Sequence, residues 1–261
     1  METIALKDGN RMPALGLGTW QLTGPLCTKV VRRALELGYR HVDTAEIYGN
    51  QREVGEALKG FERSEIFVTS KVWTNHLHYE ETLKACERTL EELDTDYLDL
   101  YLIHWPSEEV PVRETLEAME ELKKRGAVRS VGVSNFGIRE LREALKVAGD
   151  LVVNNQIEFH PYLYQKEVLE FCRKHEISVT AYSPLGRKVV LQDPVVLEIA
   201  RRHRKTPAQV CLRWALQKGA AVIPKASTEQ HLRENLQVFG WELPEDDIAR
   251  LDSLNRGKSV L

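Results

Sequence analysis

The regular alternation of short apolar runs with helical segments constrains the fold of this chain more than any other feature. Eight runs rich in β-branched or other apolar residues recur, at 14–20, 40–45, 65–73, 97–105, 127–136, 151–159, 177–185 and 220–227. Their apolar residues are nearly continuous, which is typical of strands buried on both faces of a parallel sheet. Eight strand–helix units in roughly 250 residues match a closed (β/α)8 barrel, so we predict this α/β fold, a TIM barrel.

The segments between these runs show the spacing of amphipathic helices. Gly38 stands where the C-cap of the first helix is expected. The interval 186–219 is long enough for two helices, the second beginning at Thr206-Pro207 with a capping residue and a proline in its first turn. One face of the first helix is marked by Leu26, Val30, Ala34 and Leu37.

Two further segments lie outside the barrel units. Residues 1–13 are predicted to form a short hairpin around Asp8-Gly9-Asn10 that closes the barrel floor, and 242–254 is expected to form an additional helix near the C-terminus. A doubly wound dinucleotide-binding fold is the structural alternative, but it requires GxGxxG after the first strand, and GLGTW at 16–20 supplies only GxG. We therefore predict one barrel domain spanning 1–261.

Composition and charge limit the function classes. The formal net charge is −3, which disfavours a dedicated nucleic-acid binder because duplex affinity depends on many cations. No apolar run approaches the ~20 residues of a membrane span, and the N-terminal stretch lacks the apolar core of a signal peptide. The four cysteines lie far apart without a CxxC pair, as expected for free thiols in a reducing compartment. We expect a cytoplasmic protein that binds neither nucleic acid nor membrane.

Polar residues follow each predicted strand at the point where the strand ends. In a (β/α)8 barrel the carboxyl ends of all strands meet at one rim, where the chemistry of this fold takes place. The sequence therefore predicts a functional site at this rim. In chain order its residues are Thr19-Trp20, Asp43, Lys71, His104-Trp105, Ser134-Asn135, Gln156, Tyr182-Ser183 and Lys225.

Asp43, Tyr48, Lys71 and His104 can together transfer a proton. A tyrosine hydroxyl has a pKa near ~10, too high for easy proton donation at neutral pH unless an opposite charge stabilises the tyrosinate. An ammonium at ~4 Å contributes about 4 kcal/mol at an effective dielectric of ~20, before competing effects. We expect Lys71 to lower the pKa of Tyr48, Asp43 to keep Lys71 charged, and His104 to orient a substrate oxygen.

A series of motifs resembles one known family along almost the whole chain. GYRHVDTAEIYGNQREVGEAL at 38–58 and YLDLYLIHWP at 97–106 are followed by GVSNF, NQIEFHPYL, AYSPLG and IPKAST in the family's order. Together these motifs resemble the aldo-keto reductases, in particular small prokaryotic members such as 2,5-diketo-D-gluconate reductase. The resemblance implies NAD(P)H-dependent reduction of aldehydes and ketones, with Asp43, Tyr48, Lys71 and His104 as the catalytic tetrad.

The resemblance also implies cofactor contacts. Tyr182 would stack on the nicotinamide, while Ser134, Asn135 and Gln156 would bind its carboxamide. Other contacts are implied at Gly18, Thr19, Ser183 and Leu185. At the adenosine end they fall on Lys225, Ser227, Thr228, His231, Glu234 and Asn235.

One position departs from the family pattern. His231 stands where the family usually has an arginine for the 2′-phosphate, and imidazole lacks both the permanent charge and the fork geometry of a guanidinium. We therefore expect NADPH as the cofactor, with NADH tolerated.

The substrate side is predicted from three tryptophans at strand ends beside the tetrad. Trp20, Trp73 and Trp105 would form apolar walls around Tyr48 and His104. The loop after Tyr182 is short and the chain closes on GKSVL, so we expect an open site with broad specificity for small aldehydes, keto-sugars and diketones. We predict no metal site, because His76 and His78 have no third ligand at a supporting spacing. The resemblance to the family implies a monomer.

Two other functions fit part of this pattern. Lys71 at a barrel strand end could be the nucleophile of a Schiff-base aldolase or isomerase, although a salt bridge to Asp43 would make it a poor nucleophile. A non-catalytic barrel that binds nicotinamide and senses redox state is the second alternative.

Overall fold

The computed structural model describes residues 2–260, and that part of the chain contains ten strands and ten α-helices, besides short 3-10 turns. The strands are β1 (Thr3–Ala5), β2 (Arg11–Pro13), β3 (Leu17–Gly18), β4 (His41–Asp43), β5 (Phe67–Val72), β6 (Leu98–Ile103), β7 (Val128–Ser134), β8 (Val152–Glu158), β9 (Ser178–Tyr182) and β10 (Ala220–Val222). The helices are α1 (Gly24–Glu36), α2 (Gln51–Leu58), α3 (Tyr79–Leu93), α4 (Val112–Lys124), α5 (Ile138–Ala148), α6 (Lys166–Lys174), α7 (Pro194–His203), α8 (Pro207–Gln217), α9 (Glu229–Leu236) and α10 (Glu245–Asp252).

Strands β3 to β10 form one parallel sheet in which each strand pairs with its neighbours in chain order. A parallel bridge between Leu15 and Val222 joins the two ends of this sheet. Two backbone bonds flank the bridge, from Gly16 N–H to the Val222 carbonyl at 2.9 Å and from Val222 N–H to the Ala14 carbonyl at 2.8 Å. The predicted (β/α)8 barrel, with a strand in each of the eight apolar runs, is confirmed.

The N-terminal hairpin closes the floor of the barrel, as predicted. β1 and β2 pair antiparallel, and the turn between them carries Gly9 at a φ of +91°, a conformation that favours glycine. The hairpin residues Leu6 and Met12 are buried inside the barrel, in a cluster with Phe67, Leu100, Leu102, Val153 and Ala221. Asn10 donates to the Ser130 hydroxyl at 2.9 Å, which joins the turn to β7.

The helix ends agree with the sequence predictions, and one helix face differs. Gly38 follows α1 at a φ of +104°, and Thr206 forms a complete capping box with Gln209 at the start of α8. On α1, Val30 and Ala34 are buried as expected, but Leu26 is 49% exposed. The expected face was wrong at this position because the buried stripe of α1 passes through Cys27.

None of the helices within residues 2–260 has the length and apolar character required to cross a membrane.

Two helices, α7 and α8, occupy the long interval after β9, and α10 lies within the predicted segment 242–254.

Candidate active site

A cavity of about 560 Å³ lies at the carboxyl ends of the barrel strands. Three tetrad residues, Asp43, Tyr48 and His104, line it, and Lys71 reaches both Asp43 and Tyr48 from β5. The predicted rim residues thus meet in one place. The other predicted residues that line the cavity are Gly18, Trp20, Trp73, Trp105, Ser134, Asn135, Gln156, Tyr182, Ser183, Leu185 and Lys225.

Lys71 is the centre of the polar network on the cavity floor. Its side chain is fully buried, and its Nζ atom donates to Asp43 Oδ1 at 2.6 Å and to the Thr44 carbonyl at 2.8 Å. The same nitrogen lies 3.5 Å from the hydroxyl oxygen of Tyr48. Asp43 pairs with Thr69 across the adjacent strands β4 and β5, and Lys71 follows Thr69 by two residues, so its side chain leaves the same face of β5.

Burial and charge have opposite effects on the pKa values of this network. Burial alone would lower the pKa of Lys71, but Asp43 and Tyr48 outweigh it and the pKa is raised, so the ammonium stays charged. Burial also raises the pKa of Tyr48, and this effect is larger than the lowering by Lys71. Lys71 thus lowers the Tyr48 pKa as expected, but burial together with the negative charge of Asp43 outweighs this effect, and the Tyr48 pKa lies above its ordinary value.

His104 lies above this network in its neutral form. Burial, assisted by the positive charge of Lys71, lowers the pKa of the imidazole to about 3. The ring packs edge-on against Tyr48 at 5.8 Å and against Trp73 at 5.1 Å between ring centroids. Its Nδ1 atom is buried and has no hydrogen-bond partner among residues 2–260. A neutral ring at this place can donate one hydrogen bond to a ligand oxygen.

The residues predicted to bind a carboxamide are connected to one another and to the tetrad. Gln156 donates its amide to Asp43 Oδ2 at 2.7 Å, so both carboxylate oxygens of Asp43 have partners. Ser134 donates to the Gln156 carbonyl at 2.9 Å, and Asn135 accepts from the Tyr182 hydroxyl at 2.7 Å. Most donors of this group are thus used within the protein, whereas the side-chain oxygen of Gln156 accepts no hydrogen bond from the described residues.

Two residues that line the cavity adopt backbone conformations that are uncommon outside glycine. Asn135 has a φ of +63° and Ser183 a φ of +45°. Such conformations persist where the surroundings fix them, and they often occur at ligand sites. Here they direct the ends of β7 and β9 toward the cavity.

A cationic rim borders the cavity on the side of β9 and β10. Lys225 donates to Gln21 Oε1 at 2.9 Å, and the Arg187 guanidinium lies 4.7 Å from the centre of the Trp20 ring. Arg187, Lys188 and Lys225 all line the cavity, and none forms an ion pair with another described residue. Arg187 and Lys188 were not among the residues predicted from the sequence, although the RK pair directly after the SPLG motif is a signal for them.

The remaining predicted cofactor residues lie outside this cavity, and all of them except Thr19 lie in α9 or directly before it. Ser227, Thr228 and His231 are exposed, and Thr228 caps α9 by accepting from the His231 N–H at 3.3 Å. Glu234 accepts from the Thr206 hydroxyl at 2.5 Å, and Asn235 is buried. Thr19 is also buried, and its hydroxyl donates to the Asp43 carbonyl at 2.9 Å.

Three tryptophans surround the mouth of the cavity. Trp20 is 39% exposed, while Trp73 and Trp105 are half-buried. Ile47, from the turn before Tyr48, is exposed beside them. Among residues 2–260 no group of three or more histidine, cysteine or carboxylate side chains could hold a metal ion. The arrangement suits an apolar or amphipathic organic ligand with one polar group directed at Tyr48 and His104.

Comparison with known proteins identifies one family. The sequence profile of the aldo/keto reductase family matches residues 14–256. Glyoxal reductase of Bacillus subtilis is 44% identical to this chain over 262 residues, which cover 99% of the chain and 95% of that protein. The match therefore includes every strand of the barrel.

Solved structures give the same result. The aldose reductase from Schistosoma japonicum superimposes with a TM-score of 0.94 at 38% identity, covering 99% of this chain and 93% of that one. The aldo-keto reductase MGS-M4, from a Medee basin deep-sea metagenome library, superimposes with a TM-score of 0.96 at 38% identity, covering 99% and 97%.

Proposed function

The chain belongs to the aldo/keto reductase family, and we propose on this basis that it reduces aldehydes and ketones to alcohols with a nicotinamide cofactor. The observation that carries the proposal is the position of Lys71, whose ammonium contacts Asp43 and lies 3.5 Å from the Tyr48 hydroxyl at the cavity floor. Asp43, Tyr48, Lys71 and His104 act together in this proposal. A nicotinamide in its reduced form supplies the hydride.

Tyr48 is the proton donor in this proposal. Its raised pKa keeps the hydroxyl protonated at neutral pH, so the proton is present when a carbonyl oxygen begins to gain negative charge. The charged Lys71 stabilises the tyrosinate that is left behind. His104, neutral because its pKa is lowered to about 3, donates a hydrogen bond to the same oxygen. Tyr48 and His104 thus orient the carbonyl and stabilise its developing charge.

The residues around the cavity fit a dinucleotide. The unpaired oxygen of Gln156 can accept an amide N–H, and the face of Tyr182 is available to a flat ring. The cationic rim of Arg187, Lys188 and Lys225 lies without carboxylate partners beside the strand ends, where phosphate groups would be neutralised. Ser227 and Thr228 lead into the N-terminus of α9, whose free N–H groups also favour a phosphate.

We propose NADPH as the preferred cofactor, with NADH tolerated. The three cations of the rim support binding of a strongly anionic dinucleotide. His231 lies exposed at the start of α9, where an imidazole, which lacks the fork geometry of a guanidinium, gives weak discrimination of a 2′-phosphate. The remaining proposed contacts are Gly18, Thr19, Ser134, Asn135, Ser183, Leu185, Glu234 and Asn235.

For the substrate we propose small aldehydes and dicarbonyl compounds, with keto-sugars accepted. The apolar surfaces of Trp20, Trp73 and Trp105 around an open mouth support a broad range, and one relative of 44% identity is a glyoxal reductase. We further propose that the barrel acts as a monomer. We place it in the cytoplasm, and the four free, buried cysteines support a reducing compartment.

Initial-rate assays test this function directly. Oxidation of NADPH and NADH is followed with a panel of simple aldehydes, glyoxals, keto-sugars and diketones. We expect turnover with several aldehydes and a higher kcat/KM for NADPH. Borohydride trapping of a substrate on Lys71, without NADPH oxidation, would instead support Schiff-base chemistry. The raised pKa of Lys71 speaks against that outcome, since a protonated amine is not nucleophilic.

A further inference from the structure

The turn that carries Tyr48 is joined to its surroundings on both sides. It is a single 3-10 turn, Glu46–Tyr48, with no buried side chain, and Ile47 at its centre is 51% exposed. On one side Asn50 donates its amide to the carbonyls of Thr19 and Leu22, at 2.9 and 2.8 Å. Apolar packing therefore contributes little to the position of the turn, and polar contacts determine it.

On the other side of the turn, Glu46 makes polar contacts with the segment after β5 and with α3. Its Oε2 atom accepts a hydrogen bond from the backbone N–H of Trp73 at 2.9 Å. Its Oε1 atom lies 2.7 Å from Nδ1 of His76 and accepts from Arg88 at 3.4 Å. One carboxylate thus connects the Tyr48 turn to the segment after β5 and to α3. We refer to these contacts as the Glu46 tether.

We propose that Glu46 is a positioning residue for the reduction, and this inference rests on the proposed function. The tether fixes the Tyr48 turn relative to Trp73, and the Trp73 ring packs edge-on against His104 at 5.1 Å. Through these contacts Glu46 sets the relative positions of the two groups that face the carbonyl oxygen. It touches neither substrate nor cofactor itself.

The structure leaves space into which the turn can move when the tether is lost. A cavity of about 160 Å³ lies behind it, lined by Glu46 and Gly49 of the turn region and by residues of α2 and α3. Gly49 ends the turn at a φ of +62° and adds no side chain to hold it. A shift of about 1 Å in a proton donor is enough to reduce turnover by roughly two orders of magnitude.

Three variants separate positioning from general stability. Glu46→Ala removes the tether, and Glu46→Gln keeps a side-chain oxygen that can accept from the Trp73 N–H. Glu114→Ala is the matched control, because Glu114 also contacts a histidine of the same segment, His78 at 2.9 Å, without touching the turn. For each we measure kcat, KM, the melting temperature, and the dissociation constant of NADPH by tryptophan fluorescence.

Hydrogen exchange supplies a readout that does not depend on activity. The Trp73 amide is protected in the intact tether, so we expect faster exchange for this amide in Glu46→Ala. Exchange in Glu46→Gln and Glu114→Ala should match the parent protein. In parallel, we expect a kcat lower by about 10- to 100-fold in Glu46→Ala and within about threefold of the parent in Glu46→Gln, with NADPH binding unchanged in both.

The outcomes are distinct. Unchanged exchange at the Trp73 amide in Glu46→Ala would refute the tether. If exchange is faster but the kcat of Glu46→Ala equals that of Glu114→Ala, the positioning role is refuted. A loss of kcat explained fully by unfolding would also refute it. If the parent protein fails to oxidise NADPH with every carbonyl compound tested, the proposed function is overturned, and the positioning role with it. If the parent is active and Glu46→Ala is equally active, only the inference about Glu46 is overturned.

Discussion

The Nζ atom of Lys71 lies 3.5 Å from the hydroxyl oxygen of Tyr48, within reach of a hydrogen bond but longer than its 2.6 Å contact with Asp43. This difference makes the ammonium primarily the partner of the carboxylate. Tyr48 therefore keeps its proton in the resting site, as its raised pKa indicates. The attraction to Lys71 becomes important when the proton leaves, because a tyrosinate then faces a fixed positive charge.

Removing the Tyr48 hydroxyl should nearly abolish turnover. In Tyr48→Phe we expect kcat to fall by about 10²- to 10⁴-fold, the usual contribution of a general acid. The dissociation constant of NADPH should stay within about twofold of the parent value, since the hydroxyl is assigned no cofactor contact. Steady-state rates and fluorescence titration measure the two quantities. Tyr79→Phe, a half-buried tyrosine at the start of α3, is the control, and equal activity in the two variants would contradict the assignment of Tyr48.

The pH profile of kcat/KM should show no inflection at the pH where a free histidine titrates. Because burial lowers the pKa of His104 from 6.5 to about 3, the ring is neutral throughout the range from about pH 5 to 9. Tyr48, whose pKa is raised, is protonated over the same range. The kcat/KM for an aldehyde should therefore be flat there and fall only at higher pH, as Tyr48 loses its proton. A decrease in kcat/KM centred near pH 6.5 on acidification would show that His104 becomes charged.

Lys71→Met should destabilise the protein by leaving a buried carboxylate without its cation. Removing one partner of a buried ion pair costs about 3–5 kcal/mol, and both Lys71 and Asp43 are buried. The double variant Asp43→Asn/Lys71→Met removes the uncompensated charge and should recover at least half of that loss. Urea unfolding of the parent, both single variants and the double variant measures the coupling. A double variant whose loss equals the sum of the single losses would argue against a coupled pair.

His231→Arg should increase the preference for NADPH over NADH. A guanidinium at this exposed position in α9 can form a charge-assisted bond with a 2′-phosphate, worth about 1.5–3 kcal/mol. We expect the ratio of kcat/KM values for the two cofactors to rise by roughly tenfold or more. Gln230→Arg adds the same charge one residue earlier on a different face of the helix and should change the ratio less. Equal ratios in all three proteins would place the phosphate elsewhere.

Loss of the two cations after the SPLG motif should weaken NADPH binding in a salt-dependent manner. For Arg187→Ala/Lys188→Ala we expect the dissociation constant to rise about tenfold at low ionic strength and less at about 0.5 M salt, where exposed charges are screened. Fluorescence titration at both salt concentrations measures this. The control Arg113→Ala/Lys124→Ala removes two exposed cations from α4. A loss of binding that does not depend on salt would show that these residues act by shape.

The sequence was sufficient to predict the barrel because the apolar runs recur with regular spacing. It also predicted that Asp43, Tyr48, Lys71 and His104 lie together, because strand ends converge in this fold. Contacts between residues distant in the chain could not be predicted from the sequence. The bond from Gln156 to Asp43 joins residues 113 positions apart, and no local pattern reports such a pair. The balance of burial against charge at Tyr48 was also out of reach, since the loss of hydration depends on the packed surroundings.

The two ends of the barrel sheet meet at the bridge between Leu15 and Val222, supported by few backbone bonds. This short junction continues directly into the proposed cofactor contacts, with Gly18 on one strand and Lys225 beyond the other. Gly18 N–H reaches across it to the Pro224 carbonyl at 3.3 Å. A ligand held from both margins would oppose their separation, so its binding would stabilise the closure of the barrel against thermal opening at this junction.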